Sequence, residues 1–287
     1  MDLKIGVIGA GAIGRDHMNR IMTKLQGAKI VAVSDIHGDS ARAVAEQYDA
    51  KFCATGEELI ASRDVEAVIV TSWDPTHEKY VLEAIRHKKY VFVEKPLAVS
   101  AEDCRKIVAA EIAGGKQLVQ VGYMRRYDSG YIQLKEAIRS GMYGTPLMLH
   151  CAHRNASADE SYTTAMEVEN SAVHEFDVLR WLLDEDYDSA RVSFAKKTRH
   201  SHENLHDPQL IQLSTKSGVL IDIEVFVNCQ YGYDIKCDVV CEDAVISLPE
   251  PSNPQIRSKA ARSVEIFTDW KKRFAAAYDT ELQLWIN

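Results

Sequence analysis

The sequence predicts a two-part chain: a doubly wound α/β domain over residues 1–122, then an α+β domain with a large open antiparallel sheet over residues 123–287. Three observations predict it. Short runs rich in β-branched residues alternate with helix-length polar stretches as far as Gly122. A glycine-rich turn follows the first of these runs. Beyond Gly122 the hydrophobic period shifts to two, the mark of strands with one buried face. At roughly 150 residues per domain, the length of 287 also makes two domains.

The apolar runs are Lys4–Ile8, Lys29–Ser34, Ala67–Thr71, Tyr90–Glu94 and Gln117–Val121. Between them, Ala12–Leu25, Asp39–Tyr48, Pro75–His87 and Ser100–Gly114 carry helical periodicity. Near-continuous apolar strands separated by helices indicate a parallel sheet covered on both faces. The boundary falls within Gly122–Asp128. A helix over Ser129–Ser140 then stops at Gly141 and Gly144-Thr145-Pro146, before strand material. A longer helix is expected over Thr164–Leu183. In Val219–Val227 and Tyr233–Cys241 the odd positions are apolar or aromatic and the even ones largely charged.

Composition excludes several classes of function. With 46% hydrophobic and 26% charged residues the chain has ample material for a core, so dominant disorder is excluded. A net charge of −8 offers no basic field for nucleic acid or an anionic membrane. The start lacks a basic leader, and no apolar run approaches the ~18 residues of a membrane span. Six scattered cysteines without a CxxC pair read as reduced thiols. The expected location is the cytoplasm.

The turn Gly9-Ala10-Gly11-Ala12-Ile13-Gly14 opens a helix directly after a strand, and Asp35 ends the next strand. Such glycines allow a tight turn, close backbone approach to a pyrophosphate and close strand–helix packing, and the helix N-terminus offers N–H groups to the phosphates. Strand, glycines, helix, strand and acid in this order make a Rossmann dinucleotide site. Asp35 suits a ribose diol and repels a 2′-phosphate, so the expected cofactor is NAD. Lys95, in Glu94-Lys95-Pro96, lies where ligands sit in parallel sheets; it reads either as a catalytic lysine or as a solvated one. Spacings of four and three put Asn170, His174 and Asp177 on one helix face. His174 is either an acid/base or a satisfied core histidine. His153 and Asn155 point the same way at a strand end, and Arg125-Arg126 lies at the domain junction. These, with Tyr231 and Tyr233, read as sugar contacts or as ordinary surface residues. His200, His202 and His206 lack the ligand spacing of a metal site, and no metal is expected.

The segments KIGVIGAGAIG, SWDPTHEKYVLEAI, KYVFVEKPLA, LVQVGYMRRYDSGYIQLKEAI, PLMLHCAHRNAS, VHEFDVLRWLL, IEVFVNCQYGYDIKCDVV and DWKKRFAAAYD together resemble the glucose–fructose oxidoreductase/inositol dehydrogenase (Gfo/Idh/MocA) family. YMRRYDSGY and FVNCQYGYDI point to its inositol branch. The resemblance implies that Lys95 and His174 form the catalytic core, with Asn170 orienting His174. It implies cofactor contacts from Ser72, Trp73, His77 and Glu94 beside Gly9, Gly11, Ala12, Ile13, Gly14, Asp35 and Lys95. Arg125, His153, Asn155, Asp177 and Tyr233 would bind cyclitol hydroxyls. The implied reaction is NAD-dependent oxidation of a secondary hydroxyl of myo-inositol, in a homotetramer. Scyllo-inositol or an aldose as substrate, or an NAD-binding regulator without chemistry, are the alternatives. Asn170 stands where the family usually has an aspartate. Relatives also run on past Asn287, so a shortened C-terminal portion is expected.

Overall fold

The protein is described by a computed structural model covering residues 2–287. Its chain divides into two compact units, one of residues up to Tyr123 together with Tyr278–Asn287, the other of Met124–Ala277.

In the first unit, β1 (Leu3–Ile8), β2 (Ala28–Ser34), β3 (Lys51–Phe52), β4 (Ala67–Val70), β5 (Tyr90–Glu94) and β6 (Val119–Gly122) form one sheet in the order 3-2-1-4-5-6. Every pairing in it is parallel. The strand order reverses between β1 and β4, and the crevice beyond their carboxyl ends is where such sheets bind ligands. Alternate residues feed two cores: Val68, Val70, Val91 and Val93 belong to one, Ala67, Ile69 and Phe92 to the other. Helices α1 (Ala12–Thr23), α2 (Gly38–Gln47), α3 (Gly56–Ala61), α4 (His77–Arg86) and α5 (Ala101–Gly114) accompany the strands. Ser100 caps α5 by accepting the Asp103 N–H, and Gly115 ends it at φ +68°. The short β3 and α3 carry too few residues for a periodic signal, so neither is legible in the sequence.

The second unit opens with α6 (Ser129–Arg139), capped by the Asp128 carboxylate. Its sheet contains β7 (Pro146–Arg154), β8 (Tyr187–Phe194), β9 (Gln209–Thr215), β10 (Leu220–Phe226), β11 (Asp234–Cys241) and β12 (Val245–Ser247), in the order 12-11-7-10-9-8. The odd residues of β10 and its flanks, Val219 to Val227, are buried, as the alternation requires. The sheet is not purely antiparallel: β7 and β10 run parallel and the remaining pairs antiparallel. Periodicity reports which face is buried but not strand direction. A hairpin of β13 (Gln255–Ser258) and β14 (Ala261–Val264) and a short helix α9 (Trp270–Arg273) complete the unit.

Two expectations change. The helix expected over Thr164–Leu183 is broken into α7 (Thr164–Met166), a π-helical turn (Glu167–Ala172) and α8 (Val173–Leu183). A π-turn is wider than an α-turn, and Asn170 lies within it while His174 lies in α8. The last helix, α10 (Ala275–Ile286), was assigned wholly to the second domain, yet its residues from Tyr278 onward belong to the first unit. There Leu282 is fully buried in the core of Met18, Ile21 and Phe92, with Trp285 and Ile286 packed alongside.

Candidate active site

In the first unit the glycine turn divides its labour as the fingerprint requires. Gly9 takes φ +103°, and a Cβ there would meet the Thr71 backbone at 2.5 Å. A Cβ on Gly14 would lie 2.0 Å from the Gly9 carbonyl oxygen, so only glycine lets α1 pack against the turn. A Cβ on Gly11 would meet nothing within 4 Å, because this residue faces a cavity of about 600 Å³. Gly11 begins α1 with no side-chain cap and no acid in the first turn, so the Ala12 and Ile13 end of the helix presents its main-chain N–H groups and positive dipole end. Asp35, Ser72 and Trp73 also line the cavity. The Asp35 carboxylate accepts the Ala10 N–H at 2.6 Å and the His37 N–H at 2.8 Å, which fixes the acid against the glycine turn. Ser72 and Thr76 share a hydroxyl hydrogen bond of 2.6 Å beside it. Open backbone at Gly11, an uncapped helix start and a fixed carboxylate suit a dinucleotide.

Glu94 and His77 lie behind this surface rather than on it. Glu94 is buried, with Oε1 2.8 Å from His17 Nε2 and Oε2 accepting the Lys95 N–H at 3.2 Å. His77 is 1% exposed; its Nδ1 lies 2.7 Å from the Pro96 carbonyl and its Nε2 3.0 Å from that of Ser72. Both side chains therefore position the turn that carries Lys95. His17, fully buried between Phe92 and Tyr278, is not marked out by the sequence. The signal was a histidine on the inner face of the first helix, which alone does not name its partner.

In the second unit three of the expected polyol contacts come together around a residue that was not expected. Arg125 is 1% exposed and its guanidinium pairs with Glu175, itself 1% exposed. The other Glu175 oxygen accepts from His153 Nδ1 at 2.9 Å. Arg125 Nη2 lies 3.2 Å from the same nitrogen; with that nitrogen donating to Glu175, the arginine is a neighbour and not a donor to it. The His153 ring lies 6.3 Å from that of His174 and 6.0 Å, edge-on, from that of Tyr233. Burial lifts the Glu175 carboxyl, but Arg125 and then His153 outweigh it and hold the acid below its usual value. Burial likewise pulls Arg125 down, and the Glu175 charge more than restores it. Tyr233 is raised by burial, with Arg125 opposing. Glu175 was missed because helical spacing selected the face of His174, and its immediate neighbour lies about 100° round the helix.

The remaining candidates separate. Asp177 is claimed by Arg126 through a two-pronged contact, with Nε donating at 2.8 Å. Burial raises this carboxyl while Arg126 opposes. Asn155 follows β7; its backbone bonds Phe226 and Cys229, and its side-chain oxygen is buried without a hydrogen-bond partner. Asn170 lies half-buried in the π-helical turn. His206 sits 2.7 Å from the Ala195 carbonyl with its ring tilted against that of Phe194, and no cluster of metal-ligating side chains is found among the described residues.

Residues 3–123 match the oxidoreductase family with an NAD-binding Rossmann fold, and residues 131–247 match the GFO/IDH/MocA C-terminal domain. Inositol 2-dehydrogenases from Burkholderia multivorans and Klebsiella pneumoniae are 58% and 57% identical over the whole chain, which spans 86% of their length. A crystal structure of myo-inositol dehydrogenase from Lactobacillus casei in complex with NAD(H) and myo-inositol superposes with a TM-score of 0.97 at 39% identity, covering 100% of this chain and 86% of that one. Scyllo-inositol dehydrogenase from the same organism shares the fold, with a TM-score of 0.91 at 19% identity over 100% of this chain and 88% of that one. On both halves of the sequence and on the fold, the chain belongs to the Gfo/Idh/MocA family of oxidoreductases.

Proposed function

We propose that this protein is an NAD-dependent dehydrogenase that oxidises one secondary ring hydroxyl of myo-inositol to the ketone. The chain-long identity of 57–58% to inositol 2-dehydrogenases carries the reading. The glycine turn, the open face of Gly11 and the fixed Asp35 carboxylate support NAD as the cofactor. Bound NAD supplies the hydride acceptor. His174 takes the hydroxyl proton as general base, and Lys95 places a fixed positive charge where the alkoxide develops. Asn170 orients the imidazole. Arg125, His153, Asn155 and Tyr233 fix which hydroxyl is presented, with Glu175 holding Arg125 and His153 in place. Orientation of this kind supplies several kcal/mol of a barrier. Asp177 contributes through Arg126, its partner in the structure.

The outward face of the second sheet mixes exposed Met148, Leu210 and Leu220 with the pairs His150–Asp222 and Arg154–Glu224. Apolar and complementary charged groups on one face support self-association, here to a homotetramer. The six free cysteines support a cytoplasmic setting, and the charge of −8 argues against a nucleic-acid partner. No helix among the described residues is long and apolar enough to cross a membrane.

The test is the rise in reduced-nicotinamide absorbance with NAD or NADP across myo-inositol, scyllo-inositol, other epimers and glucose. Turnover fastest with myo-inositol and NAD is expected. A preference for NADP, or for an aldose, overturns the reading.

A further inference from the structure

A second buried carboxyl group lies in the second unit, apart from the Arg125 cluster. Glu167 opens the π-helical turn that leads into His174; it is fully buried, and neither carboxyl oxygen has a hydrogen-bond partner. Asp207, also fully buried, lies just before β9. Its two oxygens accept the main-chain N–H groups of Val227 at 3.1 Å and Asn228 at 2.9 Å. Two buried carboxyls acting on one another do not both ionise readily, and the one with N–H donors keeps the charge. Burial raises the Asp207 carboxyl too, but the Val227 and Asn228 donors oppose it, so Glu167, which has no such donors, is the one held neutral. Burial, and after it the Asp207 charge, push Glu167 up to about 9.

Among the described residues, no cation acts on Glu167. Tyr162, whose hydroxyl donates to the Met166 carbonyl at 2.7 Å and meets Ser171 Oγ at 2.8 Å, closes one side. From the loop that holds Asp207, Gln209 donates to the Thr164 carbonyl at 2.9 Å, while the His206 ring is turned to Ala195. Strand β10 packs on the turn; it buries Ile221, Ile223 and Val225 and gives Asp222 and Glu224 to the opposite face, with His150 and Arg154. Glu169, on the turn itself, is exposed. An ionised Glu167 would face Asp207 and the Tyr162 phenol, with only the neutral Gln209 amide to favour it.

We propose that Glu167 is a positioning residue: as a neutral carboxylic acid it keeps the π-helical turn closed and so sets the aim of Asn170 and His174, and its ionisation releases the turn. The catalytic part rests on the assignment of His174 as base.

Wild type, Glu167→Gln and Glu167→Met are compared from pH 6.5 to 10.5 by three readouts. Glu167→Met guards against a glutamine that fails to pack. Thermal unfolding reads the ionisation. A folded-state acid raised above its unfolded value loses stability as pH climbs from the unfolded value to the folded one, so the wild-type Tm should fall relative to both variants from pH 6.5 up to about pH 9 and run level with them beyond it. Hydrogen exchange over residues 164–183, corrected for intrinsic rate, should show protection lost at high pH in wild type and kept in the variants. The wild-type kcat with NAD and myo-inositol should fall about tenfold per pH unit beyond the ionisation. The variants should lose that limb, with KM for NAD unchanged. A Tm difference that does not change with pH overturns the proposal. Coincident exchange or coincident kcat profiles, with a growing Tm difference, reduce Glu167 to a structural acid and overturn its positioning role. An absence of turnover with every inositol defeats the functional reading, and the exchange arm then decides this one by itself.

Discussion

At the residue scale, the buried pair of Arg125 and Glu175 makes the sharpest demand on the site. Removing one partner of such a pair strands the other charge, which typically costs about 3–5 kcal/mol. Glu175→Ala should lose about that much in urea unfolding and raise KM for the cyclitol, while NAD affinity holds. The sign with pH follows from the depressed carboxyl: its stabilisation is present above the unfolded value and is lost as pH falls through the folded one. Wild type should therefore weaken in acid more steeply than Glu175→Gln, as read by unfolding midpoints between pH 6 and 3. Asn170 tests the assignment of the orienting group. A carboxylate there favours the imidazolium that forms in turnover, so Asn170→Asp should raise kcat on the order of tenfold, each ~1.4 kcal/mol being a factor of ten. His174→Ala should abolish most turnover in either background. With Asp177 engaged by Arg126, Asp177→Asn should leave kcat closer to wild type. A crippled Asp177→Asn beside an inert Asn170→Asp would move the orienting role to Asp177. Asp35→Ser removes the charge expected to bond the ribose diol; charged hydrogen bonds are worth about 1.5–3 kcal/mol, so KM for NAD should rise tenfold or more and NADP should be admitted. Unchanged cofactor preference would show that Asp35 serves only the Ala10 and His37 amides.

At the element scale, the glycine turn offers a paired experiment. Gly14→Ala places a methyl 2.0 Å from the Gly9 carbonyl oxygen, a backbone atom with nowhere to go, and should cost a few kcal/mol of stability. Gly11→Ala meets no protein atom within 4 Å, so it should fold with a near-native Tm while NAD binding falls, as calorimetry would show. Equal losses of stability would contradict the division of labour. The parallel sheet was legible because its central strands β1, β4 and β5 are buried on both faces and read as continuous apolar runs. The turn, Asp35 and Lys95 were legible because they occupy fixed places relative to those runs. The polar clusters were not. Glu175 became visible only when the structure brought β7 and the segment around Arg125 to one side of α8, which periodicity does not encode. The π-turn stayed hidden because Glu-Val-Glu-Asn-Ser-Ala is ordinary helical sequence, and what sets it apart is the buried acid at its start. The direction of β10 against β7 was hidden for a similar reason, since alternation is blind to strand polarity.

At the scale of the whole molecule, the last helix matters most. Leu282 is fully buried in the first unit, so Leu282→Ala should cost about 2–5 kcal/mol, and chemical denaturation followed by NAD binding should report the loss in that unit. Arg20 is bonded there to Asp279, and Gln283 holds the main chain of Gln26 from both its amide atoms. The nucleotide-binding unit is thus discontinuous, and this carries a consequence for synthesis on the ribosome. Its first 123 residues emerge early, but the segment that covers Phe92 and His17 follows only after the residues of the second unit, about 150 of them, have been made. At roughly 5–20 residues per second that interval is about 8–30 s. Through it the nascent amino-terminal part carries an uncovered apolar seam, and a chain stalled before Tyr278 should be a client of chaperones and an easy substrate for proteases.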